Sequence, residues 1–369
     1  MALNCGIVGL PNVGKSTLFS AITAAPAEAA NYPFCTIDPN VGIVEVPDNR
    51  LDKITSFINP QKVIPTAIEF VDIAGLVKGA SKGEGLGNKF LANIREVNAI
   101  IHVVRCFDND NIVHVEGSID PIRDIATIEM ELAFADLETV QKRQEKIGKM
   151  VRSHDKKLSE QGKILEPLLG KLEAHLNEGK PARLLEMSEK ELEAIYDMHL
   201  ITMKKQLYCC NVDENSVTEE KDMVKKVQEH AKTNGSEVVV ISAQLEREIA
   251  DLETKEERKE FLADMGLEES GLDKLIRAAY KLLSLETYFT AGEKEVRAWT
   301  FPHGATAPQC AGVIHTDFEK GFIKAETYHC EDLFELKSEA AIKDAGKLRM
   351  EGKEYIVKDG DVLHFRFNV

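Results

Sequence analysis

The segment "GLPNVGKS", at residues 9–16, constrains the fold of this chain more than any other stretch. It fits the pattern G-x-x-x-x-G-K-[ST], follows the apolar run "NCGIVG" at 4–9 and precedes a helix-like stretch from Lys15 to Ala24. A strand, a glycine-rich turn and a helix in that order form a loop whose backbone N–H groups surround phosphate oxygens. The sequence therefore predicts an α/β protein with a phosphate-binding loop.

The residues of this loop have distinct predicted roles. Gly9 and Gly14 let the backbone approach the phosphates, Lys15 reaches the β- and γ-oxygens, and Ser16 ligates Mg²⁺. Lys15 is thus a candidate catalytic residue as well as a binding residue. The predicted nucleotide contacts of the loop are Asn12, Val13, Gly14, Lys15, Ser16 and Thr17.

Short apolar runs alternate with helical patterns through the first part of the chain and again after residue 206. The predicted strands are 4–9, 41–46, 66–73, 99–107, 207–212 and 237–242, and a further helix is predicted at 88–98. Alternation of this kind favours a mostly parallel sheet with helices on both faces.

Between the fourth and fifth predicted strands, a helical pattern replaces the strand pattern. Apolar residues recur there at Leu137, Val140, Ile147 and Val151, and again at Leu165, Leu168, Leu172 and Leu176. We interpret residues 125–200 as a coiled-coil hairpin inserted into a domain that spans 1–284, because strands resume afterwards. A separate helical domain is the less favoured alternative. Residues 285–369 read as a small β-rich domain.

Composition limits the classes of function. The chain has 369 residues, 43% hydrophobic and 29% charged, and a net charge of −16, which excludes a generally basic nucleic-acid or membrane-surface binder. The N-terminus lacks the features of a signal peptide, and no apolar run is long enough to cross a bilayer, so we expect a cytoplasmic protein. Cys209 and Cys210 lie in an apolar run and read as buried strand rather than metal ligands.

A second phosphate-sensing element is predicted at "DIAG", residues 72–75, which ends a predicted strand. Asp72 can hold Mg²⁺ through a water, and Gly75 can offer its N–H to the γ-phosphate; the alternative is a simple strand-ending turn. Thr36 is the candidate for a threonine that completes the Mg²⁺ shell, or else an ordinary loop residue. Leu76 stands where many switch GTPases have a glutamine that orients water, so water must be positioned by another group.

The stretch "CCNVDEN" at 209–215 stands where a guanine-nucleotide switch carries Asn-Lys-x-Asp. Asp213 comes one position early, and Glu214 occupies the right position with one extra methylene. Losing the bidentate contact to guanine removes about 2–4 kcal/mol of guanine preference. Asn211 or a strand-end carbonyl can accept a hydrogen bond from the adenine amine. Val212 replaces the usual lysine, whose stem packs under the base, and offers a shorter apolar surface there. The motif favours an adenine-tolerant reader, the alternative being a strand end that contacts no base.

With these residues in view, the chain resembles the Obg-like ATPase (YchF) family of translation-factor-related P-loop proteins. The resemblance covers essentially the whole length, through "GIVGLPNVGKSTLF", "FVDIAGLVKGASKGEGLGNKFLANIRE", "VRCFDNDNIVHV", "ATAPQCAGVIHTDFEKGFI" and "YIVKDGDVLHFRFNV". It implies a P-loop G domain with an inserted coiled coil, followed by a ubiquitin-like β-grasp (TGS) domain. It also implies that ATP is hydrolysed in preference to GTP.

Further residues take roles from the resemblance. Asn12 matches a position that helps to bind K⁺ in potassium-activated relatives. His114 matches a histidine proposed to orient water in place of the missing glutamine; a solvated loop histidine is the alternative. Phe107 either stacks on the base or fills the loop.

The insertion also suggests a partner. Residues 140–163 hold eight Lys or Arg and three acidic residues, and Lys142, Lys146 and Lys149 share one helical face. This stripe either meets rRNA phosphates or is a solvated face. The resemblance favours a regulator associated with the ribosome, its rRNA or its proteins, through the insertion and the TGS domain. We expect the protein to be a monomer.

These inferences favour an Mg²⁺-dependent ATPase whose nucleotide state gates binding to the translation machinery. A GTPase of the Obg-related class is the alternative within the same chemistry. A nucleotide-gated binding module with negligible turnover is the alternative from another class. It is favoured by Leu76, which cannot orient the attacking water. A small-molecule kinase lacks support because no arginine-rich lid follows the helical insert.

Overall fold

The structure is a computed structural model that describes residues 3–24, 40–73, 86–109, 112, 114, 117–219 and 221–368. The chain divides into two compact units. Unit 1 comprises residues 1–25, 38–42 and 69–275, and unit 2 comprises residues 26–37, 43–68 and 276–369. Residues 43–68 thus group with the C-terminal part of the chain, whereas the sequence places them inside the domain 1–284.

A six-stranded sheet carries the nucleotide-binding motifs, with the strand order β2-β4-β1-β5-β6-β7. The pairs β1–β4, β1–β5, β5–β6 and β6–β7 are all parallel. Its strands are β1 (Asn4–Val8), β2 (Val41–Glu45), β4 (Ala67–Asp72), β5 (Ala99–Arg105), β6 (Lys205–Asn211) and β7 (Glu237–Ile241). Each lies within two residues of its predicted bounds. All seven residues of β5 are buried, as a central parallel strand covered on both faces requires.

Helices surround this sheet, and the helix predicted from Lys15 to Ala24 has those bounds. They are α1 (Lys15–Ala24), α3 (Leu86–Glu96), α7 (Asp222–Asn234), α8 (Ala243–Ala250), α9 (Lys255–Asp264) and the first part of α10 (Gly271–Leu282). The predicted α/β fold with a mostly parallel sheet is confirmed.

The predicted helical insertion is also confirmed. Between β5 and β6 the chain forms α4 (Pro121–Val151), α5 (Lys156–Asn177) and the short α6 (Glu189–Ile195). Asp120 caps α4 by accepting from the backbone N–H groups of Ile122 and Arg123, and proline follows at the first helical position. The leucines at 165, 168, 172 and 176 are fully buried between the helices. The apolar repeat therefore forms the core of the hairpin.

Unit 2 is built around a second six-stranded sheet, with the order β11-β10-β12-β8-β9-β3. Its strands are β3 (Lys62–Ile64), β8 (Leu285–Ala291), β9 (Glu295–Pro302), β10 (Phe322–His329), β11 (Arg349–Glu351) and β12 (Asp361–Phe367). Its helices are α2 (Asn49–Ile58), α11 (Ala307–Ile314), α12 (Thr316–Lys320), α13 (Cys330–Leu336) and α14 (Glu339–Asp344). One apolar cluster joins α11 to the sheet, and another joins α2, α13 and α14 to it.

The remaining expectations from composition concern cysteine and the membrane. Cys209 and Cys210 are buried in β6, as predicted, and the six cysteines of the described ranges are all unpaired. Within those ranges no group of three or more His, Cys, Asp or Glu side chains is arranged to hold a metal ion. The described helices include none with the length and apolarity needed to cross a bilayer.

Candidate nucleotide-binding site

A cavity of about 650 Å³ lies where the strands β1, β5, β6 and β7 of unit 1 end. The carboxyl edge of a parallel sheet is where α/β proteins place their ligands. Four loops line the cavity, through Leu10, Asn12, Gly14 to Thr17, Phe107, Asn109, Ile112, residues 211–215 and residues 242–244. The structure therefore brings most of the predicted nucleotide contacts together at one site. Val13 is buried behind the loop, and its carbonyl is bonded to Asn211.

The phosphate-binding loop has a backbone that only certain residues can adopt. Asn12 and Gly14 both have positive φ, at 62° and 97°. A Cβ on Gly14 would overlap the Asn211 amide, and one on Gly9 would lie 2.7 Å from the Val103 carbonyl oxygen. Both glycines are therefore required by close approach, and Gly14 by its conformation as well. The loop leads directly into the N-terminus of α1, whose free N–H groups favour an anion.

Lys15 and Asp72 form the charged part of the site. Lys15 is 9% exposed, and burial lowers the pKa of its ammonium while the charge of Asp72 raises it. Asp72 ends β4 and pairs in register with Ile7 of β1, next to the phosphate-binding loop. Among the described residues, its buried Oδ1 has no hydrogen-bond partner. A buried carboxylate oxygen of this kind, with the exposed hydroxyl of Ser16, is the donor set that Mg²⁺ takes.

Asn211 connects the phosphate-binding loop to the loop after β7. Its Nδ2 donates to the Val13 carbonyl at 2.9 Å, and its Oδ1 accepts from the Ala243 N–H at 2.9 Å. The side chain is 4% exposed. One of the two predicted acceptors for an adenine amine is thus already engaged, and the Asn211 side chain joins two walls of the cavity.

The residues after Asn211 form a tight turn. Asp213 accepts from the Ser216 hydroxyl at 2.5 Å and forms an ion pair with Lys221. The hydrogen bond from Lys221, and next that from Ser216, hold the pKa of Asp213 below its ordinary value. Although Asp213 lines the cavity, its carboxylate is bonded to Ser216 and Lys221 of the turn. Val212 is buried in an apolar cluster with residues of β5, β6 and α7. Glu214 is half-buried and is the second carboxylate that lines this part of the cavity.

The loop after β5 supplies another part of the cavity wall. Phe107 is half-buried and lines the cavity with Asn109 and Ile112. The Cys106 N–H donates to the Asn211 carbonyl at 2.8 Å, so this loop starts beside the turn at 211–215. Phe107 therefore lines the cavity beside the turn at 211–215, the end predicted to hold the base, although β5 is also the direct neighbour of β1.

His114 is neither solvated nor in the lining of this cavity. It is 8% exposed, and its Nε2 lies 2.7 Å from Asp124 Oδ2 at the start of α4. It lines a neighbouring cavity of about 360 Å³ with Arg105, Asp108 and Ile119. The solvated alternative is excluded by this burial, and the water-orienting role stays a prediction. The predicted Thr36, Gly75 and Leu76 lie outside the described residues.

Sequence reasoning missed several residues of the site. Ser242, Ala243 and Gln244 follow β7 and line the cavity, as do Asn109 and Ile112. The available signal was topological: residues that follow a strand of a parallel sheet come to the same edge as Asn211. The burial of Arg105 could not be predicted, because a charged residue at the end of an apolar run is ordinarily expected to be exposed.

The phosphate-binding loop, the parallel sheet and this cavity at its carboxyl edge define a P-loop NTPase with a G-domain fold. A family model described as "50S ribosome-binding GTPase" matches residues 4–154. The model YchF-GTPase_C, described as a protein of unknown function (DUF933), matches residues 285–368.

Similar proteins match over their whole length. The chain is 58% identical to the "Ribosome-binding ATPase YchF" of Bacillus subtilis (strain 168) and 56% identical to that of Escherichia coli O157:H7, each with 100% of both chains covered. The solved structure of the Schizosaccharomyces pombe YchF GTPase matches with a TM-score of 0.88 at 41% identity, over 99% of this chain and 97% of that one. The chain belongs to the YchF family, which confirms the resemblance seen in the sequence.

Proposed function

We propose that this protein is an Mg²⁺-dependent ATP hydrolase that prefers ATP to GTP. The observation that carries this proposal is the division of the cavity into two ends. One end has a complete phosphate-binding loop with Lys15 near the charge of Asp72, whose Oδ1 is buried. The other end lacks a free aspartate for guanine, because Asp213 is held by Lys221 and Ser216. The names of the Bacillus and Escherichia relatives, both "Ribosome-binding ATPase", support the same conclusion.

The residues divide the work between them. The N–H groups of the loop and Lys15 bind the triphosphate and stabilise the charge that develops on it. Ser16 and Asp72 would hold Mg²⁺, which offsets phosphate charge when bound. Asn12, which lines the cavity, is the proposed ligand for K⁺, and His114 is the proposed group that orients water. Phe107 and Glu214 border the base.

A turnover assay tests the hydrolase. We expect phosphate release from ATP that requires Mg²⁺, rises in K⁺ over Na⁺ and is lost in Lys15→Ala, with slower release from GTP. His114→Ala should lower turnover without weakening ATP binding. Turnover that is absent with and without ribosomes would favour the binding module, and equal or faster GTP hydrolysis would favour the GTPase named for the Schizosaccharomyces relative.

We also propose that the protein binds ribosomes as a monomer in the cytoplasm, through the tip of the helical hairpin and the C-terminal unit. Lys146, Lys149, Lys156 and Lys157 are exposed at that tip. Lys142, in contrast, is paired with Glu138 at 2.6 Å. Exposed lysines on one face suit phosphate groups of rRNA, and binding of this kind weakens steeply with salt.

Co-sedimentation with ribosomes tests the surface. The double variant Lys146→Glu/Lys149→Glu should lose most ribosome binding and its salt dependence, because two attractive contacts become repulsive. The matched control is Lys190→Glu, an exposed lysine on α6 of the same insertion. If both variants bind like the wild type, the hairpin face is only solvated.

A further inference from the structure

A buried arginine holds the loop that forms the base side of the cavity. Arg105 is the last residue of β5 and is 1% exposed. Its Nε donates to the Phe107 carbonyl at 3.2 Å, Nη1 to the Ile112 carbonyl at 3.0 Å and Nη2 to the Asn109 carbonyl at 3.2 Å. The guanidinium also lies 4.7 Å from the centre of the Phe107 ring. One side chain thus binds three points of one loop.

The three bonded residues are the loop residues that line the nucleotide-sized cavity. Phe107, Asn109 and Ile112 all contribute to its wall, while their carbonyls point back to Arg105. No helix or strand is described between β5 and α4. The backbone of this loop has a hydrogen bond across it, from the Ile112 N–H to the Asn109 carbonyl at 3.1 Å. Its shape therefore depends on the planar fork of donors that only arginine provides.

The burial of this charge needs a reason. A buried guanidinium is expensive unless its donors are satisfied. Within the described ranges no carboxylate forms an ion pair with Arg105, and three of its N–H groups donate to the loop carbonyls. Burial lowers the pKa of the guanidinium, and the charges of Asp108 and Asp124 oppose that change. An aliphatic residue would fill the same space at the end of an apolar strand at less expense. The charge is therefore explained by the loop carbonyls that it orders.

We propose that Arg105 is a positioning residue for the base end of the nucleotide site, which holds the backbone of Phe107, Asn109 and Ile112 so that the Phe107 ring meets the base. This inference rests on the proposed nucleotide binding. When a loop is ordered in only a tenth of molecules, the apparent Kd of its ligand rises about tenfold. The phosphate end, built from the loop at 9–16, does not depend on Arg105.

Two ligands separate the two ends. Calorimetric titrations would compare Mg-ATP with Mg-tripolyphosphate, which has the phosphates but no base, on the wild type, Arg105→Lys and Arg105→Met. We expect the Kd for ATP to rise about tenfold or more in both variants, and that for tripolyphosphate to stay within about twofold. Hydrogen exchange of residues 107–117 in the nucleotide-free protein should accelerate in both variants. Arg297→Lys is the matched control, because Arg297 also stacks on an aromatic ring, 4.0 Å from the centre of Trp299.

The outcomes differ for the two proposals. If the wild type binds ATP and the Arg105 variants bind it equally well, or if they lose ATP and tripolyphosphate together, the positioning role is overturned while the hydrolase stands. If the wild type itself binds tripolyphosphate but gains nothing from the base, the proposed ATP site falls, and this inference falls with it. Selective loss of ATP with faster exchange in the loop supports it.

Discussion

Asn211 stands at the predicted base-reading position, but its side chain is bonded to two loops of the cavity wall. Its amide has one donor and one acceptor aimed at two different loops, Val13 on one side and Ala243 on the other. Both partners are buried backbone groups that need a hydrogen bond. The side chain is also packed against Gly14, where a Cβ would overlap it. Asn211 therefore fixes the distance between the phosphate-binding loop and the wall after β7.

Asn211→Ala should weaken binding of ATP and GTP by similar factors. The change leaves the Val13 carbonyl and the Ala243 N–H without partners, each at about 1–3 kcal/mol, so the free energy of unfolding should fall as well. Titration with both nucleotides and urea unfolding would measure these effects. Asn177→Ala, at an exposed asparagine of α5 outside this lining, is the control and should change neither. A changed ratio of ATP to GTP affinity would instead place Asn211 on the base.

Glu214→Asp should move the preference toward GTP, by up to about tenfold, because a charge-assisted contact to guanine becomes possible at the shorter length. Glu214 lines the cavity, whereas the neighbouring Asp213 is held by Lys221 and Ser216. Paired calorimetric titrations with Mg-ATP and Mg-GTP would measure the ratio. Glu219→Asp, an exposed acid in the same segment, is the control. An unchanged ratio would remove Glu214 from the base site.

At the scale of single elements, the start of α10 depends on a buried carboxyl. Glu246 of α8 is 2% exposed and accepts from the Gly271 N–H, the first residue of α10, at 2.7 Å. Burial raises the pKa of Glu246 to about 7, against the opposing effect of the hydrogen bonds from Leu272 and Gly271. The ordinary value is 4.5. Between these two pH values the folded protein keeps a proton that the unfolded chain has lost, so this group makes stability fall as pH rises.

Glu246→Gln should remove that loss, because the amide oxygen can still accept from Gly271 without bearing a charge. The unfolding free energy of the variant minus that of the wild type should grow from pH 4.5 to about 7, by at most about 1.4 kcal/mol per pH unit, and then level off. Urea unfolding across this range would measure it. Glu248→Gln, exposed on the same helix, should give a constant difference. A difference that does not vary with pH would contradict the buried titration.

Other groups also make the unfolding free energy of the wild type depend on pH. The difference in unfolding free energy between the Glu246→Gln variant and the wild type is therefore the quantity to measure. Burial lowers the pKa of His102 in β5 to about 4 from 6.5. The unfolded chain then binds a proton that the folded protein does not, so this group makes stability rise with pH between 4 and 6.5. His102 and Glu246 therefore give opposite slopes, and subtraction of the wild type isolates Glu246.

Elements with a strong repeating pattern could be predicted from the sequence, and those defined by distant contacts could not. The apolar runs of the parallel sheet and the leucine spacing of the hairpin report burial directly. β3 has only three residues, two of them exposed, and it exists because it pairs with β9 far along the chain. The roles of Asn211 and Arg105 likewise depend on which backbone groups surround them after folding. Local sequence contains no record of those neighbours.

At the scale of the whole molecule, unit 2 is assembled from separate parts of the chain. Leu51 and Ile54 of α2 are buried in a cluster with Phe289 and Val296. Arg50 forms ion pairs with Asp48 at 2.7 Å and with Asp359 at 2.6 Å. Residues 43–68 therefore provide an edge strand, a helix and part of the core of unit 2. We propose that the C-terminal module is complete only with this segment.

A fragment of residues 276–369 should fail to fold cooperatively, because the apolar surface that α2 covers would be exposed to water. A fragment in which residues 43–68 are joined to it by a flexible linker should fold. Near-ultraviolet circular dichroism of Trp299, with urea unfolding, would distinguish the two. As a control, the linked fragment with Leu51→Ala/Ile54→Ala should behave like the short one. Cooperative unfolding of 276–369 alone, with equal stability, would show that the segment is dispensable.

We propose that the site binds ATP in preference to GTP because its base end lacks a free aspartate for guanine. The most direct test is titration of the nucleotide-free protein with non-hydrolysable Mg-ATP and Mg-GTP analogues in potassium buffer. We expect the ATP analogue to bind at least about tenfold more tightly, which corresponds to about 1.4 kcal/mol. Equal or tighter binding of the GTP analogue would mean that Glu214 reads guanine, and the protein would then be a GTPase.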